Sequence, residues 1–181
     1  IGEYIISGAE HAEDVLGVLV LTRWAGVANR RTGEAPFHLV PLFDSIAALR
    51  NAGDFVRELL TEPDYRRHLQ AHGSVQPVLV GYSGSNKEAG IATSRWAVHC
   101  AQAALMRAAA DSGTRVLIGH ARGGAVSRGG GRIDALVHGA PRGAIRDVLH
   151  VTEQGESLQQ NYGLRPIAMR TLERALHALA L

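Results

Sequence analysis

The chain has 181 residues, 46% of them hydrophobic and 20% charged, with a formal net charge of +2: enough for one core of ordinary size, and too apolar for a disordered chain. Its basic residues are scattered except between 122 and 132, which excludes a general nucleic-acid surface. One cysteine excludes an intrachain disulfide and fits a reducing, cytoplasmic setting, and the early apolar stretch "VLGVLVL" (15–21) is too short to span a membrane.

The chain opens on Ile1, without a signal peptide, and enters a strand-like run at once, as an excerpt of something longer would. "EYIIS" (3–7) is the first of five short, near-continuous apolar runs, the pattern of strands buried on both faces of a parallel sheet. "AEDVLGVLVLTRW" follows as a helix with acids in its first turn, and Ser7 is expected to cap it. "ANRRTGEAP" (28–36) reads as an exposed loop before the strand "HLVPLF" (38–43). Ser45 then caps a helix whose inner stripe is Ile46, Leu49, Val56, Leu59 and Leu60. After the strand "PVLVGYS" (77–83), Ser83, Ser85 and Asn86 are placed to cap a helix. On that helix Ala92, Trp96, Cys100 and Ala104 repeat along one face, making Cys100 a core residue. "RVLIGH" (115–120) leads into a glycine-rich loop, then "IDALVH" and "PRGAIRD". "VLHVTE" (148–153) is the fifth strand, and Ala168, Leu172, Leu176 and Leu179 stripe the last helix.

Strands alternating with helices mean βα units around a parallel sheet. No G-x-G-x-x-G follows the first strand, so a dinucleotide fold has no support. The expected class is α/β: a partial (β/α)8 TIM-type barrel of about five units, with residues 1–181 as a single segment. The polar groups favour the barrel. Asp44, Lys87, the pair His120 and Arg122, and the pair Glu153 and Gln154 follow successive strands, and in a barrel they crowd one rim. His38 and His150 lie at strand starts, away from that rim. His11, His68, His72, His99, His138 and His177 lack metal-ligand spacing and read as surface or packing residues.

The stretch "GHARGGAVSRGGGR" (119–132) puts Arg122, Arg128 and Arg132 into a loop with Gly123, Gly124 and three further glycines. Glycines bring backbone N–H groups close to a ligand, and guanidinium forks bind phosphate or carboxylate at two points. A solvated loop and an RGG-type RNA tether are the rival readings of the same residues. "GYSGSNKEAG" (81–90) occupies the equivalent place one unit earlier. It holds Lys87, the only lysine among 19 basic side chains, where an ammonium would add a mobile positive charge at the rim.

Together, "VLVGYSGSNKEAG", "SRWA", "HARGGAVSRGGG" and "VTEQGE…YGL…RTLER" resemble the catalytic barrel of phosphoenolpyruvate carboxylase, and "VPLFDSIAAL" extends the resemblance through the middle of the chain. The resemblance implies a carbon–carbon lyase that joins phosphoenolpyruvate and bicarbonate through carboxyphosphate and an enolate, giving oxaloacetate and phosphate. It implies Mg²⁺ or Mn²⁺ as cofactor and a homotetramer as the full-length assembly, with neither nucleic acid nor membrane as partner. By motif, Asp44 takes the place of a metal-binding glutamate and Lys87 that of an active-site lysine. His120 and Arg122 match the pair beside the phosphoryl group, with Gly123 and Gly124 in the same substrate-binding turn. Arg128 matches the arginine of a mobile loop.

The sequence departs from the family pattern at telling positions. Gly84 replaces the aspartate of "GYSDS", so a second metal-ligating carboxylate is lost and weaker metal binding is expected. Glu88 is a candidate to compensate, or simply complements the helix dipole. Ala121 replaces a glycine, Arg132 replaces a proline, and the family's proton-accepting histidine belongs to a region outside this chain. A barrel that binds a small anionic metabolite or a partner subunit without chemistry is the alternative reading.

Overall fold

Aliphatic and β-branched runs form the sheet, as their preference for a pleated, buried surface dictates. The structure, a computed structural model, describes residues 2–145 and 148–180. Strands β1 (Glu3–Ser7), β2 (His38–Phe43), β3 (Val75–Gly81), β4 (Arg115–Ala121) and β5 (His150–Thr152) run parallel, in sequence order across the sheet. A doubly wound sheet reverses direction partway; here every crossover steps one strand onward. The helices therefore collect on one face, and the sheet curls into a half-barrel.

Register defines two rows across the sheet. Leu42, Leu79, Gly119 and His150 align on the inner side. Phe43, Val80, His120 and Val151 align on the side facing the helices. The core lies on that helix side, where Leu39, Phe43, Val78, Val80 and Ile118 meet Leu49, Phe55, Leu59 and Leu105. Burying each large aliphatic side chain there contributes roughly 2 kcal/mol.

The helices are α1 (Ala12–Trp24), α2 (Ile46–Thr61), α3 (Pro63–Ala71), α4 (Ser83–Ser112), α5 (Ile133–Gly139), α6 (Gly155–Tyr162) and α7 (Arg165–Ala180), with one 3-10 turn at Val126–Arg128. Ser45 caps α2 as expected, its Oγ accepting from the Ala48 N–H at 3.0 Å. Gly53 lets α2 approach α4 closely, since a Cβ there would sit 2.8 Å from the Ala104 methyl. Among the described residues no helix is long and apolar enough to cross a membrane.

Four local expectations are corrected. The cap of α1 is His11 rather than Ser7, with the Asp14 carboxylate accepting from the His11 N–H at 3.0 Å. Ser85 and Asn86 do not cap α4; both donate to the Tyr82 carbonyl and meet the Ser94 hydroxyl, and Ser83 makes no capping bond to the helix N-terminus. The buried face of α4 is Ser94, Ala97, Val98, Ala101, Leu105 and Ala108, leaving Trp96 66% exposed and Cys100 exposed. A strict four-residue repeat drifts about 40° per step around a helix, whereas alternating threes and fours hold one face. On α7, Leu172 and Leu176 lie exposed, so that stripe marks a helix without marking core. "PRGAIRD" forms no helix over 141–145, and its Arg146 and Asp147 lie outside the described residues.

At the base of the sheet, opposite the strand C-termini, three imidazoles cluster with their rings tilted to one another. His38 and His72 lie 4.8 Å apart by ring centroid, and His72 and His68 lie 4.7 Å apart. Both nitrogens of the buried His68, and Nδ1 of His38, lack hydrogen-bond partners. Beside them the Tyr65 hydroxyl donates to Gln76 Oε1 at 2.6 Å, and Gln76 Nε2 donates to the Leu39 and Pro77 carbonyls. His68 thus belongs to packing, one of the two roles its sequence context allowed.

Candidate functional site

The strand C-termini build a cleft of about 240 Å³. Asp44 enters it from the end of β2, Tyr82 and Ser83 from β3, Ala121 and Arg122 from β4, and Glu153 and Gln154 from β5, while Arg128 reaches in from the glycine-rich loop. Four consecutive strand ends thus converge on one space, and at three of them the lining includes a polar residue that the sequence order points to, Asp44, Arg122, and Glu153 with Gln154. Lys87 stands outside the lining, exposed on the first turns of α4. His120 is also outside it, because the register turns its ring toward the helices.

Asp44 is held in place by the residue that departs most from the family pattern. Its Oδ2 accepts from the Gly84 N–H at 3.0 Å, and its backbone carbonyl accepts from the Ser85 N–H at 2.7 Å. A Cβ at position 84 would lie 2.9 Å from that carbonyl oxygen and from Oδ2, so any side chain there would displace Asp44. The other oxygen, Oδ1, is buried without a partner. An orphaned carboxylate oxygen fits one bond to a hard cation, and Mg²⁺ needs only one or two protein carboxylates when water and substrate phosphate complete its shell. Glu153, lining the same cleft, also has a buried oxygen, Oε2, without a partner. Glu88 gives its carboxylate to the Ile46 N–H at 2.8 Å, capping α2 from a distance, and Glu153 lies 3.6 Å from Arg122. Among the described residues no three His, Cys, Asp or Glu side chains are grouped to hold a metal.

The three arginines of the loop have separate employments. Arg122 is buried, and its Nε and Nη2 donate to the carbonyls of Gly129 and Gly131 at 2.9 and 2.6 Å. Its guanidinium is therefore committed to shaping the loop. Arg132 leads into α5 and pairs with Asp134. Arg128 is exposed, and its side chain makes no hydrogen bond or ion pair with the described residues. It and Lys87 are the rim cations left free for a ligand. The Gly123 N–H is used within the loop, donating to the Arg128 carbonyl at 2.7 Å.

His120 is 1% exposed and shares a 2.8 Å hydrogen bond between its Nδ1 and Tyr82 Oη, while its Nε2 has no partner. Burial, with Arg122, Arg95 and His150 nearby, pushes its pKa down to about 4, so the ring is neutral at physiological pH. His150 is therefore closer to the rim than its strand-start position implied, two residues along the sheet from Ala121.

Two residues of this region escape a reading of the sequence. Tyr82 sits one residue past β3, and its ring is covered by Gly129, where a Cβ would come within 2.5 Å of a ring carbon. Gly129 also has φ +86°, which only glycine adopts readily. Arg95 lies 4.9 Å from the same ring centroid and donates to the Gly130 carbonyl at 3.3 Å. The aromatic just past a strand end was a usable signal for Tyr82; nothing in helical periodicity marks Arg95.

Comparison with known proteins agrees with the geometry. The family model for phosphoenolpyruvate carboxylase matches residues 1–180. The phosphoenolpyruvate carboxylase of Xanthomonas oryzae pv. oryzae is 45% identical over 181 residues, covering 100% of this chain and 20% of the relative. That of Gloeobacter violaceus is 38% identical over 176 residues, covering 97% of this chain and 19% of the relative. The chain thus spans about a fifth of the length of these curated relatives. By the match along nearly all of its residues, this chain belongs to the phosphoenolpyruvate carboxylase family.

Proposed function

We propose that this segment forms the phosphoryl-binding rim of a divalent-metal-dependent phosphoenolpyruvate carboxylase, and that its five strands are part of a TIM-type eight-stranded barrel. The observation that carries the reading is the convergence on a single cleft of four successive strand ends, two carboxylates each with an unpartnered oxygen, Asp44 and Glu153, and the unpaired side chain of Arg128. Arg128 would bind the phosphate or bicarbonate oxygens with its fork, and Lys87 would add a mobile charge from α4. Arg122 shapes the glycine loop that screens the cleft, and exclusion of water there would protect an enolate from protonation. His120, neutral and tied to Tyr82, would hold the end of β4 in place without exchanging protons at neutral pH. Asp44 would hold Mg²⁺ or Mn²⁺ through Oδ1. The bound ion supplies Lewis-acid polarisation of phosphoryl and enolate oxygens. Phosphoenolpyruvate and bicarbonate are the substrates and a homotetramer the assembly that go with this reading.

The test is bicarbonate-dependent oxaloacetate formation with Mn²⁺ by the full chain, beside its Gly84→Asp variant. Turnover by the unaltered protein supports the carboxylase reading with Gly84 in place. Turnover only in the variant places the defect at position 84. Silence from both, with phosphoenolpyruvate still bound, overturns the enzyme reading in favour of an anion-binding barrel.

A further inference from the structure

The loop over the rim is gripped from two sides. Arg122 takes the carbonyls of Gly129 and Gly131, and the carbonyl between them, that of Gly130, accepts from Arg95. Arg95 reaches it from the second part of α4, beyond a break at Gly90, where φ 76° and ψ 169° interrupt the helix. Its guanidinium lies against the Tyr82 ring, whose hydroxyl is bonded to His120 and against which Gly129 is pressed. One cation therefore touches both the loop backbone and the aromatic ring that orients the buried imidazole.

We infer that Arg95 is a positioning residue that latches the glycine-rich loop over the rim and couples the loop to His120 through Tyr82. The physical basis is double. A charge-assisted bond to a carbonyl and a cation over an aromatic face are each stronger when partly desolvated, and Arg95 is half-buried. The second consequence is electrostatic. The groups facing His120 are Tyr82 just past β3, Arg95 on α4, Arg122 past β4 and His150 on β5. Two of these are fixed cations, and both favour the neutral ring. The inference deepens the reading of this loop as part of the site, but its test needs no turnover.

Trypsin reports the latch directly. Arg128 is exposed, whereas Gly129 and Gly130 on the other side of its peptide bond are buried, so cleavage after Arg128 requires the loop to lift. In Arg95→Met, which keeps length and loses donor and charge, cleavage after Arg128 is expected to accelerate roughly tenfold or more, with Arg57 in the core-packed α2 still protected. Arg95→Lys keeps the cation and loses the fork, so cleavage should also quicken, though less. The titration midpoint of His120, followed by NMR of labelled histidine, should rise in the Met variant and stay near the parent value in the Lys variant. A purely structural loop contact would move both variants together in both readouts. An unchanged cleavage rate after Arg128 in Arg95→Met overturns the latch, and equal acceleration at Arg57 reduces Arg95 to a general stabiliser. An unmoved His120 midpoint in Arg95→Met overturns the coupling.

Discussion

Arg122 at the rim and His68 at the base are buried by opposite means. At the rim the buried cation Arg122 keeps its charge and is supplied with two carbonyls and a nearby carboxylate. At the base, His68 is equally buried but has no partner on either nitrogen, and lies against His72 instead of a carboxylate. A guanidinium cannot shed its proton, so it must bring its hydrogen-bond partners into the interior. An imidazole can, and is buried nearly bare by becoming neutral. The surroundings of Arg122 should accordingly be indifferent to acid and fail when the arginine is removed, whereas the acid-sensitive points are the imidazoles buried neutral, His68 at the base and His120 below the rim.

The strongest way to break that contrast is Arg122→Met. It frees two loop carbonyls and leaves Glu153 as an uncompensated buried charge, at a cost of about 3–5 kcal/mol in denaturant melts. Stability lost in that variant should vary little with pH above about 6.5. Acid attacks the buried imidazoles, His68 at the base and His120 below the rim. Burial, followed by the neighbouring His72 and His38, holds the folded pKa of His68 at about 4, down from 6.5. As pH falls, the unfolded chain takes the proton first; the stability is complete above about pH 6.5 and is lost on the way down to about 4. This imidazole alone should cost about tenfold in the folding constant per pH unit within that window. His68→Leu should make the acid limb of a pH series of melts shallower without abolishing it, since His120 contributes over the same window, and an unchanged limb would count against His68 as an acid-sensitive group.

Two smaller substitutions sharpen the picture. Tyr82→Phe leaves both nitrogens of His120 without partners, at an expected cost of about 1–2 kcal/mol measured by thermal melting at pH 7. Glu88→Ala removes the carboxylate that receives the Ile46 N–H, at a cost of about 1 kcal/mol or less, as for other lost helix caps. If Glu88 instead served a bound cation, the same variant would lower Mn²⁺ affinity, read from the spectrum of the free ion, with stability unaltered.

Much of the site was legible before any coordinates. Asp44, Arg122, Glu153 and Gln154 fall at one rim by their position after successive apolar runs, and the cleft gathers them together with Arg128 of the glycine-rich loop. Lys87 and His120 satisfied the same rule without entering the lining. A strand-end count fixes height along the barrel axis and not direction: Lys87 follows the turn of a helix, and His120 alternates to the outer face. The role of Arg122 was hidden for a related reason. Sequence shows an arginine in a glycine loop, whereas its partners are carbonyls seven and nine residues away, and carbonyls leave no trace in residue type.

By itself the sequence determined the class and order of the elements, since apolar runs of five or six residues and capped amphipathic helices follow from local chemistry. It also determined the family, through long motifs in a set order. Only the tertiary structure decided which face of α4 is buried, which loop arginine stays free, and that Gly84 leaves its backbone N–H to hold Asp44. These depend on register, on helix approach and on which oxygen lies within 3 Å of which hydrogen. Such distances arise between residues about forty positions apart, where no local pattern records them.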